Sequence, residues 1–262
     1  MKMLNRFAPL LLAASLLFSV IVGGVSAETN PIEISWKGHA CFTLQSGNFS
    51  FVFDPFGPHV GYPIHDLQAN AVFISHEHFD HNNTDMVPGA EVLRGLKNDA
   101  KSWNLFTKEL APGVTLKTVG VYHDKEMGKK RGLDAVAVLD LHGVRFVHLG
   151  DLGHLLTPEQ VKAIGPVDVL FIPVGGFFTI DGDEAKQVVA ELHPRVVIPM
   201  HYKTRFTNPQ LPIETEKRFI SGLQWPLKQL KTSSLILSKD RLPKSTTVYV
   251  LEPLTSFPAY RL

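Results

Sequence analysis

The stretch His76-Glu77-His78-Phe79-Asp80-His81 decides how the rest of this chain is interpreted. Three imidazoles and two carboxylates fall within six residues, directly after the run Ala71–Ser75. That run predicts a buried strand, and nitrogen and oxygen side chains at a rigid strand end are typical of a transition-metal site. Residues two apart share a face, so His76 and His78 form one pair, whereas Asp80 and His81 can serve a neighbouring ion. The stretch therefore predicts the core of a two-metal centre.

Three further candidate ligands occupy the same setting, the C-terminal end of a predicted strand. They are His123 after Val114–Val121, Asp151 after Arg145–Leu149, and His201 after Arg195–Met200. Side chains gathered at strand ends form a rigid site at one edge of a sheet, and a carboxylate such as that of Asp151 can bridge two cations. Two metals roughly 3.5–4 Å apart activate a water molecule and bind the oxygen of the group that is attacked. The sequence therefore favours metal-assisted hydrolysis.

The composition is that of an ordinary globular chain. Its 262 residues are 44% hydrophobic and 19% charged, which suffices to bury a sizeable core in one domain. The formal net charge of +1 gives no electrostatic reason to expect nucleic acid as a partner. A small-molecule substrate is the expected partner, and the oligomeric state stays open. The single cysteine, Cys41, cannot form an internal disulfide and is interpreted as a buried core thiol rather than a ligand.

The N-terminus has the features of an export signal. Lys2 and Arg6 supply positive charge, residues 9–25 are almost entirely apolar, and small residues precede Glu28 in Val25-Ser26-Ala27. This pattern predicts a signal peptide over residues 1–27 and a mature domain over residues 28–262. An uncleaved membrane anchor is the alternative, whereas a lipoprotein anchor is disfavoured because no cysteine directly follows the apolar run. We expect an exported protein, most simply a periplasmic one, without stable membrane insertion after cleavage.

Short apolar runs separated by turns indicate strands along the chain. The first three are Ile32–Trp36, Cys41–Gln45 and Phe49–Phe53. In the second half the predicted strands alternate with helices, the first of which begins with the capping box Thr157-Pro158-Glu159-Gln160. Thr107–Leu110 is interpreted as helix or loop, and a helix is expected near Ile213–Leu223. This succession favours mixed sheets sandwiched between helices.

Two segments near the candidate ligands leave alternatives open. The loop Asp124–Gly132 is basic and is interpreted as a solvated surface loop in preference to a substrate-binding patch. Its cations are Lys125, Lys129, Lys130 and Arg131. Phe177 and Phe178 follow Gly175-Gly176 and either line a pocket or pack in the core.

The stretch His76–His81 matches the HxHxDH signature of the metallo-β-lactamase superfamily, which this chain resembles. The likeness is to its branch of ascorbate-6-phosphate-lactonase-like metal-dependent hydrolases. The supporting stretches are Trp36-Lys37-Gly38-His39, Phe53-Asp54-Pro55, His148-Leu149-Gly150-Asp151-Leu152-Gly153-His154, Pro173-Val174-Gly175-Gly176-Phe177-Phe178-Thr179 and Ile198-Pro199-Met200-His201-Tyr202. The resemblance implies an α+β fold of four layers, an αββα sandwich with the metal site at one edge of two mixed sheets.

Carried over position by position, the resemblance also implies a ligand set. His76, His78 and His123 would bind one metal, Asp80, His81 and His201 the other, and Asp151 would bridge them. His142 and His148 are the alternatives to His123, but His142 is interpreted as part of a turn and His148 as part of a strand. Asp80 or Asp151 would also carry the proton. The expected cofactors are two divalent ions, most simply Zn²⁺, with Mn²⁺ or Fe²⁺ as alternatives because all three accept such ligands.

Four residues around these ligands are candidates for supporting them or for contacting substrate. Asp54 ends a strand before a proline and could accept a hydrogen bond from a ligand imidazole, which would fix its tautomer. His39 and His154 flank the matching stretches, and for each a structural histidine and a substrate contact stay open. Tyr202 follows a ligand directly and is a candidate substrate contact.

The resulting hypothesis is an exported metal-dependent hydrolase that attacks an ester, lactone or phosphodiester of a small molecule or lipid headgroup. A true β-lactamase is disfavoured, since such enzymes of the superfamily typically lack the bridging carboxylate that Asp151 supplies. One alternative is a di-iron redox protein, in which a carboxylate usually replaces the histidine found here at His78. The other is a non-catalytic metal-binding scaffold, which the filled ligand positions disfavour.

Overall fold

The computed structural model describes residues 30–254 and 258–262, so the predicted signal peptide and its cleavage site lie outside the described residues. The strands are β1 Ile32–Gly38, β2 Cys41–Ser46, β3 Phe49–Phe53, β4 Ala71–Ile74, β5 Glu91–Arg94, β6 Thr107–Ala111, β7 Val114–Tyr122, β8 Leu133–Leu141, β9 Val144–His148, β10 Val169–Pro173, β11 Val196–Met200, β12 Leu227–Gln229, β13 Ser234–Leu237, β14 Thr247–Val250 and β15 Tyr260–Arg261. The helices are α1 Pro158–Ile164, α2 Gly182–Leu192 and α3 Lys217–Ile220, and single 3₁₀ turns occur at Pro58–Val60, Thr84–Met86 and Lys239–Arg241.

The strands form two mixed sheets. The first has the order β15-β13-β1-β2-β3-β4-β5, and the second has the order β12-β14-β11-β10-β9-β8-β7-β6. Hairpins make the antiparallel pairs β1–β2 and β8–β9. Longer connections make the parallel pairs β3–β4 and β10–β11, as expected because parallel neighbours need a crossover segment.

Aromatic side chains from both sheets fill the space between them. Phe42 and Phe53 of the first sheet meet Phe171 of the second, with ring centroids 4.3 Å and 5.8 Å apart. All three side chains are fully buried. These contacts join the two sheets into one core.

We expect Phe171→Ala to lower the free energy of unfolding by about 3–5 kcal/mol, because it leaves a cavity between the sheets. Urea unfolding of the purified protein measures this change. Phe177→Ala is the matched control, since 62% of the Phe177 side chain is exposed, and we expect it to stay within about 0.5 kcal/mol. Equal losses in the two variants would contradict this account of the core.

Helices cover the outer face of the second sheet. The capping box predicted for α1 is confirmed, with Thr157 and Gln160 each accepting a hydrogen bond from the other's backbone. Asp181 and Glu184 form a second capping box at the start of α2, which contacts β10.

The outer face of the first sheet is covered by residues 54–90 rather than by a long helix. Phe56, Tyr62 and Met86 from this segment pack on Val72 and Cys41. The predicted αββα sandwich is confirmed, with 3₁₀ turns supplying part of this fourth layer. Cys41 is a buried free thiol, as predicted, and burial raises its pKa above the ordinary value.

Two local predictions were wrong. Thr107–Leu110 belongs to β6, which pairs antiparallel with β7 at the edge of the sheet. Its side chains are mostly exposed, so backbone pairing holds the strand and no apolar alternation marks it in the sequence. The helix expected near Ile213–Leu223 is reduced to α3, which is four residues long. In the part of the chain that the structure describes, no helix has the length and apolar character needed to cross a membrane.

Candidate metal centre

The predicted ligands converge at one edge of the sandwich because strands of both sheets end there. The stretch His76–His81 follows β4 in the first sheet, while His123, Asp151 and His201 follow β7, β9 and β11 in the second. The two sheets are also tied together at this edge, since the His39 carbonyl oxygen accepts a hydrogen bond from the His201 backbone N–H at 3.0 Å.

The Asp151 carboxylate lies at the centre of the site, with each oxygen facing a different pair of imidazoles. Oδ1 lies 3.2 Å from His81 Nε2 and 3.3 Å from His201 Nε2. Oδ2 lies 3.2 Å from His123 Nε2 and 3.9 Å from His76 Nε2. Although burial opposes it, the surrounding histidines hold the pKa of Asp151 well below its usual range. This carboxylate therefore stands between two nitrogen clusters.

The side chains form three groups, and within each group the potential ligand atoms lie within 4.8 Å of one another. The first is His76, His78 and His123, the second is His39, Asp80, His81 and His201, and the third joins His76, His81 and Asp151. The first matches the set expected for one metal, and the second contains the other set with His39 added. His78 is exposed to solvent, whereas the other imidazoles are buried, so the site opens on the His78 side.

The unsatisfied atoms of the cluster fit a cation. Several buried atoms have no hydrogen-bond partner within residues 30–254 and 258–262. Among them are Nε2 of His76, of His81 and of His201, and Oδ1 of Asp151. Each buried polar atom left without a partner costs about 1–3 kcal/mol. A divalent metal that accepts their lone pairs would remove that cost, and imidazole with carboxylate is a donor set that such metals prefer.

A short hydrogen-bond relay orients two of the imidazoles from behind. Asp54 Oδ2 lies 3.0 Å from His81 Nδ1 and accepts a hydrogen bond from the Ser75 hydroxyl at 2.6 Å. The Ser75 oxygen in turn lies 3.0 Å from His76 Nδ1. With both Nδ1 atoms acting as donors, both Nε2 atoms are left with lone pairs that face Asp151. Asp54 thus contacts an imidazole of the candidate ligand set, and Ser75 was not anticipated.

Asp134 is a second residue that sequence reasoning missed. It lies in β8, is fully buried, and its Oδ1 lies 3.4 Å from His76 Nδ1. Burial raises the pKa of this carboxyl to about 7. The available signal was a carboxylate inside the otherwise apolar segment Leu133–Leu139, because a charged group in a buried strand requires a partner.

His39 belongs to the site itself. Its Nε2 lies 3.2 Å from Asp80 Oδ2, and its ring centroid lies 4.0 Å from that of His201. Burial, together with the His201 imidazole, lowers the pKa of His39 to about 4. A neutral His39 can donate from Nε2 to Asp80, which holds that carboxylate in place.

The remaining candidates lie in settings typical of structural residues. His154 accepts a hydrogen bond from the Tyr122 N–H and donates one to the Leu155 carbonyl. The Tyr202 ring packs on Trp36 at 5.2 Å, and its hydroxyl donates to the Leu251 carbonyl. Neither side chain joins the ligand cluster.

The two alternatives to His123 also lie outside the cluster. His148 is held in the core, where Nε2 donates to the Ala40 carbonyl at 2.8 Å and Nδ1 accepts from the Gly150 N–H. His142 lies in the turn between β8 and β9, with its backbone φ at 47°.

A family model described as a β-lactamase superfamily domain matches residues 33–201, from β1 to the last candidate ligand. The chain belongs to the metallo-β-lactamase superfamily. A UPF0173 metal-dependent hydrolase of Thermoplasma volcanium is 29% identical over 191 residues, which cover 66% of this chain and 84% of that protein. A relative of the same name from Methanoculleus marisnigri is 30% identical over 187 residues, covering 66% and 82%.

Solved structures of the superfamily agree with the fold. A Thermotoga maritima protein of the metallo-β-lactamase superfamily superposes with a TM-score of 0.63 at 32% identity. The match covers 84% of this chain and 99% of that one. The metallo-hydrolase Igni18 of Ignicoccus hospitalis shares the fold at 19% identity, with a TM-score of 0.52. The protein is a metal-dependent hydrolase of this superfamily.

Proposed function

We propose that the site holds two divalent metal ions and hydrolyses an ester, a lactone or a phosphodiester of a small molecule or lipid headgroup. His76, His78 and His123 would hold one ion, Asp80, His81 and His201 the other, and Asp151 would bridge them. The observation that carries the proposal is the division of the two Asp151 oxygens between separate histidine pairs. Zn²⁺ is the ion we favour, with Mn²⁺ and Fe²⁺ accepting the same ligands.

The protein's own residues supply orientation and proton transfer. Bound divalent ions supply Lewis acidity, which lowers the pKa of water and stabilises negative charge on the attacked group. Asp151 and the ligand imidazoles fix the positions at which that charge is neutralised. Asp80 is the better placed proton carrier, because 15% of its side chain is exposed compared with 2% for Asp151. His39 holds the Asp80 carboxylate through Nε2.

Elemental analysis of the purified protein tests the metal content, and we expect close to two divalent ions per chain. A substrate panel of lactones, carboxylic esters and bis(4-nitrophenyl) phosphate tests the reaction, with nitrocefin as the expected negative. One ion per chain would contradict the two-metal proposal, and nitrocefin hydrolysis at ordinary enzymatic rates would contradict the exclusion of β-lactams. Stoichiometric iron together with bound flavin would favour the di-iron redox alternative.

We also propose that the protein is exported to the periplasm after cleavage before Glu28. The support is the charged start, the apolar run and the small residues of the first 27 positions. Mass spectrometry of the protein recovered from a periplasmic fraction tests the proposal. A mature N-terminus at Glu28 is expected, and an intact N-terminus in the membrane fraction would instead indicate an anchor.

Ser75→Ala removes the link between Asp54 and His76, so we expect metal affinity to fall about 10- to 100-fold, as is typical when a supporting partner of a ligand is lost. Competition with a fluorescent zinc chelator measures the affinity. Ser46→Ala is the matched control. Ser46 is also a buried serine, but its hydroxyl donates to the Pro31 carbonyl, outside the candidate metal centre. Unchanged affinity in Ser75→Ala would show that the relay does not support the metal.

A further inference from the structure

A cavity of about 320 Å³ lies beside the backbone of His123, with Asp124 and Gly153 in its lining. The loop Asp124–Gly132, the segment Phe177–Thr179 and the start of α2 line it. The loop is joined to the metal edge, since Gly132 accepts a hydrogen bond from the His123 N–H at 3.1 Å. Gly153, which also lines the cavity, packs against the His123 backbone. A Cβ atom added to Gly153 would lie only 2.3 Å from the His123 carbonyl carbon. The cavity and the His123 side of the centre therefore share a wall.

The acidic side chains that line this cavity already have partners. The Asp124 carboxylate accepts hydrogen bonds from the backbone N–H groups of Glu126, Gly128, Lys130 and Arg131. Glu184 pairs with Lys125 at 2.5 Å, and Glu126 pairs with Lys130. Asp181 caps α2 and lies 3.0 Å from an Arg218 nitrogen. These pairings neutralise both lysines of the lining.

Arg131 is the remaining cation of the lining, and its side chain has no carboxylate partner within the described ranges 30–254 and 258–262. Its guanidinium carbon lies 5.9 Å from the Phe177 ring centroid and 5.6 Å from that of Phe178. Both distances lie within the roughly 6 Å range of a cation–π contact. Arg131 is therefore positioned by the two aromatic rings rather than by a carboxylate.

The aromatic pair is held in an unusual conformation. Phe177 has a backbone φ of 57°, a left-handed conformation that a bulky residue adopts only at a cost. Its side chain is nevertheless 62% exposed, so core packing does not repay that cost. The two rings lie edge to face with centroids 4.7 Å apart. Strain at an exposed aromatic beside a cavity is a feature typical of ligand contacts.

We propose that this cavity binds the anionic end of the substrate, a carboxylate or a phosphate, through the Arg131 guanidinium. The adjoining carbon chain or ring of the substrate packs on Phe177 and Phe178, and its scissile bond extends towards the His123 side of the centre. The guanidinium fork matches both anions in geometry. The proposal rests on the proposed hydrolysis at the neighbouring site and adds the class of substrate, an amphiphilic anion. It replaces the interpretation of Asp124–Gly132 as a merely solvated loop.

Binding of small probes tests the cavity independently of turnover. Isothermal titration of the metal-containing protein would use phenylacetate, benzylphosphonate and the neutral phenylacetamide. In Arg131→Ala we expect affinity for both anions to fall about 10- to 100-fold, the usual effect of losing a charged hydrogen bond, with less than about a twofold change for the amide. The affinity of Arg131→Lys for the two anions should lie between those of the wild type and Arg131→Ala. Lys129→Ala is the matched control, because Lys129 is an exposed cation of the same loop that does not line the cavity.

Equal weakening of anion binding in Arg131→Ala and Lys129→Ala would overturn the proposal, because the loss of one positive charge anywhere in the loop would then explain the lower affinity. Unchanged binding in Arg131→Ala would overturn it as well. A loss for only one of the two anions would identify carboxylate or phosphate as the ligand. Hydrolysis of mono(4-nitrophenyl) glutarate and of its methyl ester is measured separately. If neither ester is hydrolysed while anion binding still depends on Arg131, the proposed ester hydrolysis is wrong and the proposed anion-binding cavity is supported.

Discussion

Asp151→Asn is expected to lower kcat at least about 10³-fold and to reduce the metal content to one ion per chain or less. The Asp151 oxygens are the shared contact of both histidine pairs, so the amide removes the negative charge that two cations would share. A loss of several kcal/mol of charge stabilisation corresponds to this factor in rate. Elemental analysis and steady-state kinetics on the substrate found in the panel measure the two effects.

Asp140→Asn is the control for that substitution. Asp140 lies in β8 and pairs with Arg145 at the surface, so the variant loses the same charge far from the site. We expect full metal content and unchanged kcat. If Asp151→Asn retained two ions and wild-type turnover, both the bridging role and the two-metal site would be wrong.

Removal of the metals by a chelator is expected to abolish hydrolysis and to lower the melting temperature by about 10 °C. Ions that bind only the folded state stabilise it by about 4 kcal/mol when free metal exceeds the dissociation constant 1,000-fold. For a chain of this size each kcal/mol shifts the midpoint by roughly 2–4 °C. The buried nitrogens of His76, His81 and His201 would then again lack partners. Differential scanning calorimetry before and after dialysis against the chelator measures the shift.

Re-addition of Zn²⁺, Mn²⁺ or Fe²⁺ to the metal-free protein completes that experiment. Recovery of both activity and melting temperature with one ion identifies the working metal. His142→Ala should respond to the chelator as the wild type does, since this histidine lies in a turn outside the cluster. A melting temperature that is insensitive to the chelator would contradict a structural contribution from the metals.

The positions of the candidate ligands at one edge of the sheets could be predicted from the sequence, because each follows a strand whose apolar residues are visible. His76, His123, Asp151 and His201 all come directly or within a few residues after such runs. The supporting residues could not be found in this way. Asp134 lies far from His76 in the chain, and its own sequence neighbourhood carries no metal-binding motif. Ser75 directly precedes His76, but its contact with Asp54, 21 residues away, is visible only in the structure.

The sequence predicts the buried strands, because burial selects a run of apolar residues. It does not predict the strands that are held only by backbone hydrogen bonds to a neighbouring strand. β4 and β11 are fully buried, and the apolar runs of both predict them as strands. β6 and β12 lie at sheet edges with mostly exposed side chains, so their backbone hydrogen bonds have no signature in the sequence. Arg131 was visible only as one of several loop cations, and its contact with Phe177 and Phe178 requires the tertiary structure.

The pairing of β1 with β13 has a consequence for the timing of folding. Ile32, near the start of the described chain, is opposite Leu237, near its end. Contacts of such sequence separation form late because the loop between them must first be closed. The first sheet therefore cannot be completed before Leu237 has left the ribosome. Under the proposed export, a first sheet that closes late would suit passage through a translocation channel in an unfolded state.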